Sequence, residues 1–367
     1  MKKGKQHFDI YFLITVLVLL GFGLIMIMSA SSEWSRSQSY TGYDALFYAK
    51  RQAMWAGISI LAMLFFARFD YHRLGKLSNL ILGVAVVLLV LVLAVGTESK
   101  GGKRWLNLGF IQFQPSEAAK IALIIFLSWN LSKKDDPLKK FATGLLPYLL
   151  VIGFVCGLII LEKHFSATML VLLVSLGILF VAGARIPHLM ALGLPVVMGA
   201  FVLVRTSAYR WKRVTSFLDP FADKLGDGYQ IIQSLYAIGS GGIFGLGLGR
   251  SRQKFSYIPE PHNDFIFAIL CEELGLVGAM LVIMLFTVLI WRGVRIALAA
   301  PDKFGSYLAM GIMMLIAFQV VLNIAVVTSS MPVTGVALPF FSYGGTSLVM
   351  IMSCMGIMLN ISSKGKE

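Results

Sequence analysis

Ten apolar stretches recur along this chain, at about residues 8–30, 51–68, 77–96, 115–132, 143–162, 166–183, 187–205, 264–291, 305–328 and 345–361. Each holds roughly 18 or more residues, enough to cross a hydrocarbon core of ~30 Å as a helix. A backbone N–H or C=O inside lipid has no water to bond to, so runs this uniform are compatible only with helices that satisfy themselves. A soluble globule is excluded, and the composition agrees. The chain is 57% hydrophobic and only 14% charged, where a soluble domain carries about a quarter of charged residues. The expected fold is all-α and polytopic, with about ten transmembrane helices in a single integral domain over residues 1–367.

The first run is followed by nine more, with no small-residue cleavage site after it, and reads as a retained span. Cys156, Cys271 and Cys354 all fall inside apolar runs. Their spacing suits neither a disulfide framework nor a metal cluster, and they read as small buried hydrophobes.

Basic residues in short loops set the orientation. The stretches "MKKGKQH", "RFDYHRLGK" and "KKDDPLKK", the loop around Arg292, Arg295 and Lys303, and the tail "SSKGKE" fall on one side of a ten-span bundle. That side is the cytoplasm, and it holds both termini. The opposite face is also positive, with fifteen basic residues against nine acidic ones. Insertion rules do not ask for that. A positive outer cavity suits a phosphate-bearing ligand; the alternative is a long translocated loop whose charge is unconstrained.

Three outer segments carry the polar information. In Thr97–Lys120, Gly101 and Gly102 mark a turn and Pro115 suits the start of the next helix. Glu117 and Lys120 lie three apart, on one helix face at the membrane edge. They are either part of a site or a structural ion pair, since intramembrane charges are costly. The second segment, about 206–263, is too rich in apolar side chains to be disordered. It holds "GYQIIQSLYAIGSGGIFGLGLG", read as a short amphipathic helix and a glycine-rich turn. No strand precedes those glycines and no GK[ST] follows, so they are not a nucleotide-binding loop. Backbone lying against membrane helices or a ligand is the better reading. The third, "TSSMPVTGVALPFFSYGGTS", is broken by Pro332, Gly335, Pro339, Gly344 and Gly345, and is expected to line the same outer cavity.

"YIPEPHNDFIFAILCEELG", Tyr257–Gly275, sets four acids and a histidine at the mouth of an apolar run. With a helix starting near Asn263, Asp264 sits in its first turn, where the helix dipole keeps a carboxylate ionised. Such a group is suited to general-base work, or serves only as a helix-terminal acid. Glu260 and His262 could orient it or contact a sugar. Glu272 and Glu273 lie roughly 12 Å deeper and are expected to bond inward to other helices.

The whole chain resembles the SEDS family, the FtsW, RodA and SpoVE proteins. The residues that carry this are "GGKRWLNLGFIQFQPSEAAK", the run from "YRWKRVTSFLDP" through "PEPHNDFIFAILCEELGLVG", and "PFFSYGGTSLVMIMSCMGIMLNIS". Within it, "GLGLGRSRQK" is more similar to the FtsW and SpoVE branch. The resemblance implies a peptidoglycan glycosyltransferase in the bacterial cytoplasmic membrane, working on its outer face. Its substrate would be lipid II, and its partner a class B penicillin-binding protein; no nucleic-acid partner is expected. Asp264 matches the family's outer aspartate. Arg104, Lys120, Arg210 and Arg213 match its basic positions, with Glu117 supporting Lys120; Lys212 and Lys254 are further candidates from this chain. Lys163 and His164 stand where the family usually has Pro-Asp, and Asn263 where it has threonine, a change that still permits a helix cap. Metal ligands are therefore unassigned, and a divalent cation is the one cofactor left open. Two other functions stay in view, a lipid II flippase and a non-catalytic scaffold. A flippase needs a polar path across the bilayer, whereas the informative groups cluster on one face.

Overall fold

The computed structural model describes residues 8–365 except 100, 101, 108, 110, 111, 134–137, 139, 140, 225, 227 and 256, and leaves out the side chains of 99, 192, 194–197, 200, 203, 208–210 and 223. The basic stretch 1–7, most of the loop 133–140, Lys100, Gly101, Asp227 and the Arg210 side chain therefore lie outside the described residues.

Every apolar run lies in a helix. In chain order these are α1 (Ile10–Ser37), α2 (Phe47–Arg68), a short α3 (Tyr71–Lys76) in the first inner loop, and α4 (Ser78–Val95). After three strands come α5 (Pro115–Ser132), α6 (Leu146–Leu161), α7 (Phe165–Val181) and α8 (Ile186–Arg205). The bundle closes with α11 (Ile266–Leu298), α12 (Lys303–Val327) and α13 (Gly345–Lys364). Among the described residues six of them, α1, α4, α6 with the turn before it, α11, α12 and α13, are long and apolar enough to cross a membrane. The shorter apolar α7 has 17 residues, and α2, α5 and α8 account for the remaining three runs. This is a multi-pass helical membrane protein.

Its packing follows from having lipid as solvent. One apolar core runs from Phe12 to Ile361, while Leu61, Phe65, Val87, Leu150 and Met280 stay exposed on the outside, where only hydrocarbon would meet them. At the end of the bundle that holds the Asp9 and Lys364 ends of the chain, ion pairs tie the helix ends together: Lys364 to Asp70 at 2.5 Å and Arg292 to Asp9 at 2.7 Å. All three cysteines are free and buried.

The outer face departs from a purely helical reading. Strands β1 (Thr97–Ser99), β2 (Gly102–Asn107) and β3 (Gln112–Phe113) form a small antiparallel sheet in that order, with Glu98 opposite Lys103 and Leu106 opposite Phe113. Gly102 lets this sheet press on the turn after α6, since a Cβ there would lie 2.4 Å from the Glu162 carbonyl. The long outer segment is ordered as α9 (Ala208–Leu218), a turn of 3-10 helix at Pro220–Asp223, and α10 (Tyr229–Gly241). Trp211 of α9 lies under the Arg205 guanidinium at 4.4 Å, a cation–π contact. Ser234 of α10 donates to the Val327 carbonyl at 2.7 Å.

Candidate functional site

Asp264 does not sit in the first turn of a helix. The helix α11 begins at Ile266, three residues after the expected start near Asn263. In a helix the Asp264 carbonyl would accept from the N–H of residue 268. Here the Asn323 side-chain amide takes it, at 2.8 Å, and the Ala268 N–H turns to the Phe265 carbonyl instead, at 3.0 Å. The half-buried Asp264 is thereby held in the turn before the helix. Nor does Asn263 cap α11. Its amide donates to the Glu260 carboxylate at 3.1 Å, and its carbonyl accepts from Ser342 at 3.0 Å. Glu260 itself adopts a positive φ of 47°.

The broken segment after α12, residues 328–344, is laid across this turn. The Tyr343 N–H donates to the His262 carbonyl at 2.9 Å. Gly335, with φ of +71°, passes so close to Asp264 that a Cβ there would meet a carboxylate oxygen at 3.2 Å. Only glycine combines that φ with that approach. Arg213 of α9 donates to the Val333 carbonyl at 2.8 Å. Past the segment's far end, Ser347 of α13 donates to Glu117 at 3.3 Å. Asp264 and Arg213 thus border one stretch of chain that the sequence marked only by its breakers, and the Glu117–Lys120 pair meets the helix that follows it.

Glu117 and Lys120 form an ion pair of 2.7 Å, with side chains 14% and 3% exposed. The ammonium borders two small adjoining cavities. One lies between α5, α7 and α12 beside Leu170 and Val174, the other between α5, α12 and α13 beside Gln319 and Cys354. The Lys120 charge is already met by Glu117, so it would take up an anion only by giving up part of that pair. Next to it, the Arg104 guanidinium donates to the carbonyls of Lys163, at 2.7 Å, and Glu162, at 3.4 Å. It spans β2 and the turn between α6 and α7.

His164, in that turn, has its Nδ1 within 3.3 Å of the Gln114 amide and 3.2 Å of the Ser116 hydroxyl. Burial, with Arg104 and Lys120 nearby, holds its imidazole down to about 3. A neutral imidazole is a poor ligand for a hard cation, which takes oxygen donors. Among the described residues no three His, Cys, Asp or Glu side chains come together as a cage. The residues present do not fit a protein-held divalent cation. Beside His164, Glu162 is fully buried with both carboxylate oxygens unpartnered among the described residues. Burial pushes its carboxyl up to about 8, against the pull of Arg104.

Two candidates stand apart from this group. Lys254 is 2% exposed and pairs with Glu273 at 3.1 Å, donating also to the Gly249 carbonyl at 2.7 Å. Lys254 is therefore spent inside the protein. Glu272 and Glu273, expected to bond to other helices, bond chiefly to their own outer loop. Glu272 accepts from the Ser251 hydroxyl and from the N–H groups of Arg252 and Gln253, at 2.9 and 3.3 Å. Glu273 accepts from Ser29 of α1 at 2.7 Å and from the Ser251 N–H at 3.3 Å. Two buried carboxylates thus cap a run of loop N–H groups.

They can do so because α11 breaks at Gly275, with φ 64° and ψ −164°, and the glycine loop docks into the break. The N–H groups of Leu246 and Gly247 bond to the carbonyls of Glu272 and Glu273, both at 2.9 Å. Those of Leu276 and Val277 bond to the carbonyls of Gly242 and Ile243, at 2.9 and 3.1 Å. At Gly245, φ +78°, a Cβ would lie 2.2 Å from the Glu273 carbonyl. The glycines lie against a membrane helix.

His262 is 2% exposed, with its ring against Tyr48 at 4.1 Å and edge-on to Tyr343 at 5.7 Å. It packs between α2 and the broken segment, out of reach of a sugar. Burial brings its imidazole down to about 4, against the opposing pull of Glu260. The folded value lies below the ordinary one, so the unfolded chain takes up the proton first on acidification. The stability this histidine supports is full above about pH 6.5 and is lost as pH falls toward 4, by up to about 3 kcal/mol. The melting temperature in detergent should fall across that window. In His262→Phe, which keeps a ring between the tyrosines, the fall should be shallower; an unchanged slope would remove His262 as its source.

Lys212 is exposed on α9, and Arg210 belongs to the same helix. Sequence reasoning missed Asn323 and Gln319, although polar residues four apart inside an apolar run were a readable signal. It also missed Tyr48 and Ser347, which nothing in their local sequence distinguishes.

Comparison with known proteins adds an independent observation. Residues 10–367 match the family model FtsW/RodA/SpoVE, described as cell cycle protein. Stage V sporulation protein E of Bacillus subtilis (strain 168) is 47% identical over 364 residues, covering 99% of both chains. A probable peptidoglycan glycosyltransferase FtsW of Geobacter sp. (strain M18) is 40% identical over 361 residues, covering 98% of both. Among solved structures, a peptidoglycan synthase complex in which polymerization and crosslinking are coordinated contains a chain that superposes with a TM-score of 0.81, at 30% identity and 97% coverage of both. The rod shape determining protein RodA of Thermus thermophilus superposes with a TM-score of 0.73, at 27% identity and 98% coverage of both.

Proposed function

The chain belongs to the FtsW, RodA and SpoVE family of cell cycle proteins, and from that premise we propose that it is a peptidoglycan glycosyltransferase. Its substrate on this reading is lipid II, polymerised into glycan strands at the outer leaflet of the cytoplasmic membrane. The carboxylate of Asp264 takes the proton of the acceptor's GlcNAc 4-hydroxyl as that oxygen attacks C1 of the donor's MurNAc. The configuration at C1 inverts, and undecaprenyl pyrophosphate leaves with the bonding electron pair. Its growing negative charge is met by Lys120, which exchanges part of its pairing with Glu117 for the phosphates, and by the guanidinium groups of Arg104 and Arg213, with Arg210 and Lys212 on the approach. No step is routed through a metal ion.

One observation carries this reading: the Asp264 carboxylate abuts the broken segment at Gly335, and the desolvated Lys120–Glu117 pair is tied to Ser347 just beyond that segment's end. The deeper acids Glu272 and Glu273 are consumed by internal bonds, and so offer no polar track for a carrier. A class B penicillin-binding protein is the partner this reading implies, supplying the crosslinking.

The test is to reconstitute the full chain with that partner, free of other polymerases, and supply purified lipid II. Glycan strands should form. Lipid II crossing vesicle bilayers without any glycan would give the reading to transport instead.

A further inference from the structure

The segment after α12 has its carbonyls taken in succession by side chains from three helices. Arg213 of α9 holds Val333, Ser166 of α7 holds Thr334, and Asn323 of α12 holds Val336 at 2.7 Å. The Asn323 amide also donates to the Asp264 carbonyl at 2.8 Å. Its Oδ1 has no partner among the described residues, as befits an amide turned to point both N–H donors at two acceptors. Asn323 is 1% exposed, so no water substitutes for it.

The consequence is geometric. Asp264 and Val336 are joined through one rigid amide, and Gly335, next to Val336, is the residue that Asp264's carboxylate abuts. One helical turn away on the same helix, Gln319 borders the cavity beside Lys120. At 1.5 Å per residue that is a rise of about 6 Å, so α12 sets the carboxylate and the ammonium in one frame.

We propose that Asn323 is a positioning residue for glycan synthesis, setting where the Asp264 carboxylate stands against the segment that carries Gly335. This rests on the reading of Asp264 as the base. Asn323 touches no reacting atom. It acts through Asp264, by the bond it makes to the Asp264 carbonyl.

Glycan synthesis from purified lipid II by the full chain with its partner, followed as kcat and KM, tests this with Asn323→Leu, which keeps the branched shape and loses both donors. A displacement of about 1 Å at a reacting group costs up to about 10²-fold. The expected result is a 10- to 100-fold loss in kcat with KM within about 2-fold of wild type. A wild-type kcat, or a loss matched by an equal change in KM, overturns the proposal.

Asp264→Asn is run beside it. If that variant is inactive while Asn323→Leu is as active as wild type, only the positioning role falls. If Asp264→Asn polymerises like wild type, the base reading falls and takes this one with it. Should Asn323→Leu not fold, Asn323→Ser, whose single hydroxyl cannot bridge both carbonyls, decides: a kcat loss at unchanged KM supports the proposal, and wild-type kinetics overturns it.

Discussion

Asp264→Asn is expected to lower glycan synthesis by about 10²- to 10⁴-fold, the usual contribution of a positioned general base. Asparagine keeps the size and hydrogen-bonding shape of the side chain but binds no proton at the required basicity. It also leaves the turn in place, because Asn323 grips the Asp264 carbonyl and not its carboxylate. Loss of activity with an unchanged melting temperature and intact partner binding would therefore isolate the chemistry. Equal activity would reduce Asp264 to a turn residue and send the search for a base elsewhere along the outer face. The comparison is informative because the surroundings are built around this carboxylate, with Gly335 cleared of a side chain and extended backbone brought alongside.

Glu273→Ala is expected to have the largest effect on stability, about 3–5 kcal/mol. Its carboxylate is fully buried and meets the Lys254 ammonium, whose side chain is 3% exposed. Removing the acid strands a cation in a site without water and releases Ser29 and the Ser251 N–H as well. Thermal unfolding in detergent checks the size of the loss. Pairing the change with Lys254→Met should recover a good part of it, because a buried ion pair replaced on both sides by neutral groups no longer carries a desolvated charge. If the double variant is no more stable than Glu273→Ala alone, the loss comes from the loop hydrogen bonds and not from the stranded ammonium.

The motif at Tyr257–Gly275 joins both predictions. Its acids divide into two roles that the local sequence suggested but did not resolve. Asp264 is tied to the broken segment. Glu272 and Glu273 belong to the docking of the glycine loop into the break at Gly275. Lys254 resembled a phosphate ligand because it is basic and lies on the outer side of the chain. Only its burial against Glu273, nineteen residues on, showed that its charge is already used.

Apolar runs and the spacing of Glu117 and Lys120 were legible because each depends on local facts. Hydrophobicity sets which segments enter lipid, the demands of backbone hydrogen bonding make them helices, and a three-residue spacing puts two side chains on one face of a helix whatever surrounds it. The ten runs and the paired charges therefore came from the amino acids alone. The start of α11, the break at Gly275, the sheet at 97–113 and the bridging role of Asn323 did not. The sheet pairs residues only a few positions apart, but the others depend on which groups meet across dozens of residues, and a carbonyl taken by a distant amide leaves no mark in its own neighbourhood. Tertiary structure decided where Asp264 stands, because a buried N–H or C=O takes whichever partner the fold brings within reach.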